Sequence, residues 1–230
     1  MTSRIAVFAS GSGTNLQAIL DYFAMRGKAR AGDVVLVASD RPEAGALDRA
    51  RRTKIATAIV RTKSHPDGRD PLALVREQRI DFIALAGFLR LVPADVLAEL
   101  PSRVVNVHPA LLPAFGGPGM HGERVHRAVL ASGASVSGAT VHYVDAEYDT
   151  GATLAQWPVP VLADDTAAAL AARVLKVEHV LYPRVVDAVA SGRWRFDSRP
   201  RPVPDGAHRS LLSWDEKRLV PEIEAAFGFV

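Results

Sequence analysis

The chain has 230 residues, 48% hydrophobic and 23% charged, which suits one large α/β domain with a substantial apolar core. Lys and Arg number 28 against 25 Asp and Glu, a formal charge of +3 that is too small and scattered to point to nucleic acid. With no cysteine, disulfide scaffolds, thiolate nucleophiles and cysteine zinc sites are excluded.

No apolar run approaches the roughly 20 residues of a membrane span. The amino terminus, MTSRIAVFASGSG, reads as a strand entering a glycine turn and not as a signal peptide. A soluble, cytoplasmic domain without a membrane partner is expected. Strand-length apolar runs recur at 5–9, 34–38, 55–60, 82–86 and 104–107, rich in Val and Ile and nearly continuous. Such runs fit strands buried on both faces. Helix-like stretches at 15–25, 44–52, 71–77 and 94–100 separate them, so the first 108 residues predict a parallel sheet flanked by helices.

Residues 109–121 (PALLPAFGGPGMH) are too dense in Pro and Gly for a regular element. A short helix at 125–131 follows, then strand-like segments at 139–144 and 153–161. The link between these two is too short for a parallel crossover, so the second half is expected to add antiparallel strands. Residues 164–190 predict a long helix whose start is offered acids and a cap by Asp164, Asp165 and Thr166, and which Pro183 should end or bend. After Gly192 the periodicity fades, with one last helix near 214–227. The expected division is a domain over 1–192 and an extension over 193–230 packed on its surface. The fold class is α/β: an open, mostly parallel, Rossmann-like sheet with antiparallel strands added in the second half.

Four places could carry chemistry. Gly11-Ser12-Gly13-Thr14-Asn15 sits between a strand and a helix, where backbone N–H groups suit a phosphate. It lacks the third glycine of a dinucleotide fingerprint and the Lys of a Walker loop, and a plain tight turn is the competing reading. Asn106 and His108 lie two apart at the carboxyl end of a buried strand, so they share a side where open α/β sheets bind ligands. An amide beside an imidazole can hold an oxyanion and move a proton, although the pair could equally finish a strand. The turn Asp145-Ala146-Glu147-Tyr148-Asp149, with His142 just before it, could hold a divalent metal, be a solvated hairpin tip, or send one acid to His108. His121 and His126 are five apart and do not share a helix face; no spacing matches a structural zinc pattern, and no metal is expected. Gly87-Phe88-Leu89-Arg90 leaves the fourth strand either as a packed exit or as exposed backbone for a flat heteroaromatic ligand.

The segments GSGTNLQAI, LAGFLRLVP, NVHPALLPAF, VHYVDAEYDTGATLAQ and VEHVLYP together resemble the phosphoribosylglycinamide formyltransferases, the folate-dependent transformylases of purine synthesis. The resemblance covers residues 4–194. It implies that the backbone of Gly13, Thr14 and Asn15 cradles the phosphate of glycinamide ribonucleotide, and that Glu178 holds the same substrate. Leu89, Arg90 and Val92 match the stretch lining the folate pterin pocket, and Thr140, beside the catalytic residues, is counted with the donor-binding set. Asn106, His108 and Asp149 match the catalytic trio. The implied reaction moves the formyl group of 10-formyltetrahydrofolate, a co-substrate, onto the ribonucleotide's amine through a tetrahedral intermediate. Asn106 and a protonated His108 would hold the oxyanion, with Asp149 raising the His108 pKa. The implied partners are these two small molecules, with neither nucleic acid nor membrane; a homodimer is compatible with the reading.

Departures from the family pattern are Ala110 after the HP pair, a longer GGPGMHGERV loop, and Thr150 and Ala152 around the donor-side turn. The region of Arg69 names no partner for the folate glutamate. A deformylase is disfavoured by the early first strand, and a tRNA formylase by the short, charge-balanced end after residue 192. A non-catalytic folate or nucleotide module would make Asn106, His108 and Asp149 dispensable.

Overall fold

In the computed structural model the described residues are 2–192 and 215–227. Five strands, β1 (Ser3–Phe8), β2 (Gly32–Ser39), β3 (Ala56–Ile59), β4 (Phe82–Leu85) and β5 (Val104–His108), pair in parallel. Strands β6 (Val136–Tyr143) and β7 (Thr153–Pro160) extend the sheet antiparallel, giving the order β3-β2-β1-β4-β5-β6-β7. The expected architecture holds, including the change of strand direction in the second half.

Alternation along β1 shows why the strand runs are continuously apolar. Ile5, Val7 and Ala9 enter one core, with helices α1 (Thr14–Arg26), α2 (Gly45–Arg52), α5 (Glu123–Ala131) and α6 (Ala167–Ala190) contributing to it. Ala6 and Phe8 enter the other, with α3 (Pro71–Glu77) and α4 (Ala94–Glu99). A strand covered on both faces has no side for polar residues. Only β3, at the edge, is half-buried, and it is shorter than its apolar run suggested.

Helix α6 has the expected span and cap, and Pro183 does not end it. It runs unbroken through Pro183 to Ala190, with Thr166 as its cap accepting from the Ala169 N–H at 3.1 Å. A proline mid-helix forfeits one backbone hydrogen bond and crowds the preceding turn. Here Leu181, Tyr182, Val185 and Val186 on either side of it are wholly buried, and that packing holds the last two turns in place. Asp165, expected among the helix-start acids, accepts instead from Arg173 and the Leu162 N–H, and the Arg173 pairing holds its carboxyl below the ordinary range.

The Tyr182 hydroxyl reaches the Leu85 carbonyl at 2.8 Å and that of Val105 at 3.2 Å, tying α6 to the ends of β4 and β5. Tyr182→Phe leaves these buried acceptors without their donor. A loss of about 1–3 kcal/mol is expected in urea unfolding, with the midpoint falling at unchanged slope.

Helix α7 (Glu216–Phe227) seats Leu219 and Ile223 in the core and pairs Glu216 with Lys176 and Glu224 with Arg184 on α6. Residues 193–214 and 228–230, the rest of the expected extension, lie outside the described residues. No helix among the described residues is long and apolar enough to cross a membrane.

Candidate active site

Because β1 is flanked by β2 on one side and β4 on the other, chain direction leaves a crevice beyond their carboxyl ends, the usual ligand position in such sheets. A cavity of about 800 Å³ opens there, between the exits of β4 and β5, the 117–123 loop and α6. That is the size range of small-molecule and cofactor sites.

One end of the cavity is built on paired strands. The antiparallel register of β5 and β6 sets Asn106 opposite His142 and His108 opposite Thr140. The Asn106 amide Nδ2 stands 3.1 Å from His142 Nε2, while His142 Nδ1 is 2.8 Å from the Tyr143 carbonyl. A carbonyl only accepts, so Nδ1 carries the proton and Nε2 takes one amide hydrogen of Asn106. The second amide hydrogen is uncommitted among the described residues. His108 Nε2 donates to the Phe115 carbonyl at 2.9 Å, and its Nδ1 faces Asp149 Oδ2 at 3.5 Å. The Asp149 carboxylate also takes the Gly117 N–H at 2.9 Å and lies 3.6 Å from His142 Nε2, within Coulombic reach but beyond a hydrogen bond.

These groups shift one another. Burial alone would raise the Asp149 pKa, but His142, His108 and the Gly117 N–H outweigh it and hold the carboxyl below its ordinary value. For His108 the balance goes the other way: burial lowers its pKa below the ordinary imidazole value, against the pull of Asp149 and the Phe115 carbonyl. The expectation of a raised His108 pKa is therefore corrected. His108 is 3% exposed, and at that depth desolvation of the cation exceeds one carboxylate at 3.5 Å.

The other end is built on Asn15, near the start of α1, and Glu178, in the middle of α6. Gly13 caps α1 in a left-handed conformation (φ 75°), and a Cβ there would meet the Cα of Ala46 at 2.7 Å, so glycine is required twice over. Among the described residues no side chain caps α1, which leaves its first N–H groups for an anion. Asn15 Nδ2 donates to Glu178 Oε2 at 2.6 Å, while its buried Oδ1 has no partner among the described residues. Glu178 is buried, which pushes its pKa up to about 7 even though the Asn15 hydrogen bond pulls it down.

The cavity thus gathers Asn15 and Glu178, Leu89, Arg90 and Val92, and Asn106, His108 and Asp149. Thr14 lies on a separate groove outside α1, with Gly13 just before it at the helix start. Thr140 also lies off the cavity lining. Fully buried, it donates to the Ala110 carbonyl at 2.6 Å and accepts from the Leu112 N–H at 3.0 Å, supporting the loop after His108 from beneath instead of facing a ligand. His142 was noted in the sequence only as a neighbour of the acidic turn; the sole signal that could have raised it was its polar place in an apolar strand. His121 and His126 both line the cavity, one from the loop and one from α5. Among the described residues, no group of three or more His, Asp or Glu side chains is placed to hold a metal ion.

The formyl transferase family model matches residues 3–186. A chloroplastic phosphoribosylglycinamide formyltransferase of Vigna unguiculata is 45% identical over 203 residues, covering 86% of this chain and 64% of that protein. The chain thus spans just under two thirds of that relative. The Arabidopsis thaliana counterpart is likewise 45% identical, over 86% of this chain and 69% of its own length. Among solved structures, glycinamide ribonucleotide transformylase 1 from Symbiobacterium toebii superposes with a TM-score of 0.74 at 39% identity, over 86% of this chain and 92% of that one.

Proposed function

The chain belongs to the formyl transferase family, and on that premise we propose that it transfers the formyl group of 10-formyltetrahydrofolate to the amine of glycinamide ribonucleotide in purine biosynthesis. The observation that carries this reading is one cavity with two unlike ends. An uncapped helix start beside a buried Asn15–Glu178 pair suits a phosphorylated sugar, because a hydroxyl can supply the donor that Asn15 Oδ1 lacks among the described residues. An amide, an imidazole and a carboxylate meet at the opposite end, where acyl transfer needs them.

The amine attacks the formyl carbon, a C–N bond forms, and the carbonyl oxygen becomes an oxyanion. Asn106 gives its uncommitted N–H to that oxygen. His108 supplies positive charge: both of its ring partners, Phe115 O and Asp149, are acceptors, so the site is arranged for the doubly protonated ring. Burial keeps that form scarce in the free site, and a negative oxyanion beside it favours proton uptake. The bond to the folate nitrogen then breaks as a proton passes from the former amine to that nitrogen, with Asp149 or a water it orders as the relay.

The test is a two-substrate assay that follows folate absorbance with and without the ribonucleotide. Turnover only when the ribonucleotide is present, abolished in His108→Ala, is the expected result. Folate turnover without it would replace this reading with a deformylase, and no turnover would leave a binding module.

A further inference from the structure

The cavity wall at residues 87–92 belongs to no helix or strand, yet two segments pin it. Ser10, just past β1, donates its N–H to the Gly87 carbonyl at 3.0 Å. Its hydroxyl accepts the Leu89 N–H at 2.9 Å and donates to Asp40 Oδ1 at 2.5 Å. The other carboxylate oxygen, Oδ2, takes the Arg90 Nε–H at 3.0 Å. Asp40 follows β2 and its residue is only 2% exposed, although it stands on no wall of the cavity.

The hydrogen-bond directions make this arrangement specific. Leu89 N–H can only donate, so the serine oxygen accepts and its own hydrogen must go to Asp40. Arg90 also only donates. The group joining Ser10 and Arg90 therefore has to be an acceptor at both oxygens, which a carboxylate is and an amide is not. With Nε held by Asp40, the Arg90 terminal nitrogens carry no other polar contact among the described residues, on a side chain 54% exposed at the cavity.

We propose that Asp40 is a positioning residue for the formyl donor, acting through Ser10 and Arg90 to fix the wall against which the donor's ring system lies. This rests on the reading of the 87–92 wall as the donor side. Its function is to keep Leu89 and Arg90 in one arrangement before the donor arrives, so that binding does not have to order them.

The experiment measures KM for each substrate, kcat, thermal melting and the Kd for tetrahydrofolate in the wild-type protein, Asp40→Ala, Asp40→Asn and Ser10→Ala. In Asp40→Ala the donor KM and tetrahydrofolate Kd should rise about tenfold, with ribonucleotide KM and kcat moving less than about twofold. Asp40→Asn, which keeps one acceptor, should fall between. A variant that melts lower with both KM values unchanged, or one in which both KM values and kcat shift together, overturns the proposal. If Asp40→Ala does not fold, Ser10→Ala must show the same split, and its absence has the same force. A wild-type protein that binds tetrahydrofolate without turnover defeats the functional reading, while the Kd series still decides Asp40; one that neither binds nor turns over defeats both.

Discussion

Asp149→Asn is expected to lower kcat by roughly 10²–10⁴-fold while both KM values change little. The amide can still accept the Gly117 N–H, so the loop tie at 2.9 Å survives and the fold is spared. What is lost is negative charge 3.5 Å from His108 Nδ1. Burial already holds the His108 pKa down, and Asp149 is the larger of the two influences opposing it. Without the carboxylate that pKa falls further, so the protonated ring becomes scarcer at neutral pH. The activity of the variant should therefore peak at a lower pH than that of the wild type. Steady-state kinetics across pH checks this, and activity within about tenfold of wild type on an unmoved profile would remove Asp149 from the mechanism.

Glu178→Gln should reverse a pH-dependent weakness of the fold. The carboxyl ionises at about 7 in the folded protein, against 4.5 for an unperturbed glutamate. Between those values the folded state holds the proton more tightly than the unfolded chain. The contribution of Glu178 to stability is thus fully present below pH ~4.5 and lost as pH rises through about 7, a change on the order of 3 kcal/mol. Gln keeps a carbonyl oxygen for Asn15 Nδ2 and never ionises, so urea unfolding of the variant should lack this decline. The same substitution removes the ionised acceptor for substrate hydroxyls, and the ribonucleotide KM should rise, most visibly above pH 7. Parallel stability curves for the two proteins from pH 5 to 8.5 would contradict the raised pKa.

The two predictions share a cause. The Asp149 carboxyl accepts a backbone N–H and faces two rings that can carry positive charge, whereas Glu178 meets one amide in an apolar setting. Like residue types acquire unlike chemistry from what is packed around them. Composition and spacing cannot supply that, and the direction of the His108 pKa shift departs from the sequence expectation for the same reason. The proximity of an acid was foreseeable; the depth at which the ring lies was not.

Much of the frame is nevertheless written locally. The continuous Val- and Ile-rich runs at β1, β2, β4 and β5 require cover on both faces, and the intervening helices provide it. The short link between β6 and β7 allows only an antiparallel pair. Gly13 marks its turn because no other residue adopts that φ beside Ala46. Two-residue spacing puts Asn106 and His108 on one side of β5. These are near-neighbour constraints, which a chain read in order displays.

Tertiary structure decided what depends on register and depth. Pairing of β5 with β6 brought His142, 36 residues away, against Asn106, and a shift of one residue would have turned it to the opposite face. Packing carried α6 through Pro183, overriding a local stop signal. Thr140 went beneath the loop because its partner residue in the ladder is His108, whose following segment needs the support. Asp40 met Ser10 and Arg90 only because β2 and β4 flank β1. Sequence determines which residues alternate, turn and cap, since those effects act over a few bonds. Desolvation and cross-strand contact act through space between distant segments, so they exist only once the sheet has closed.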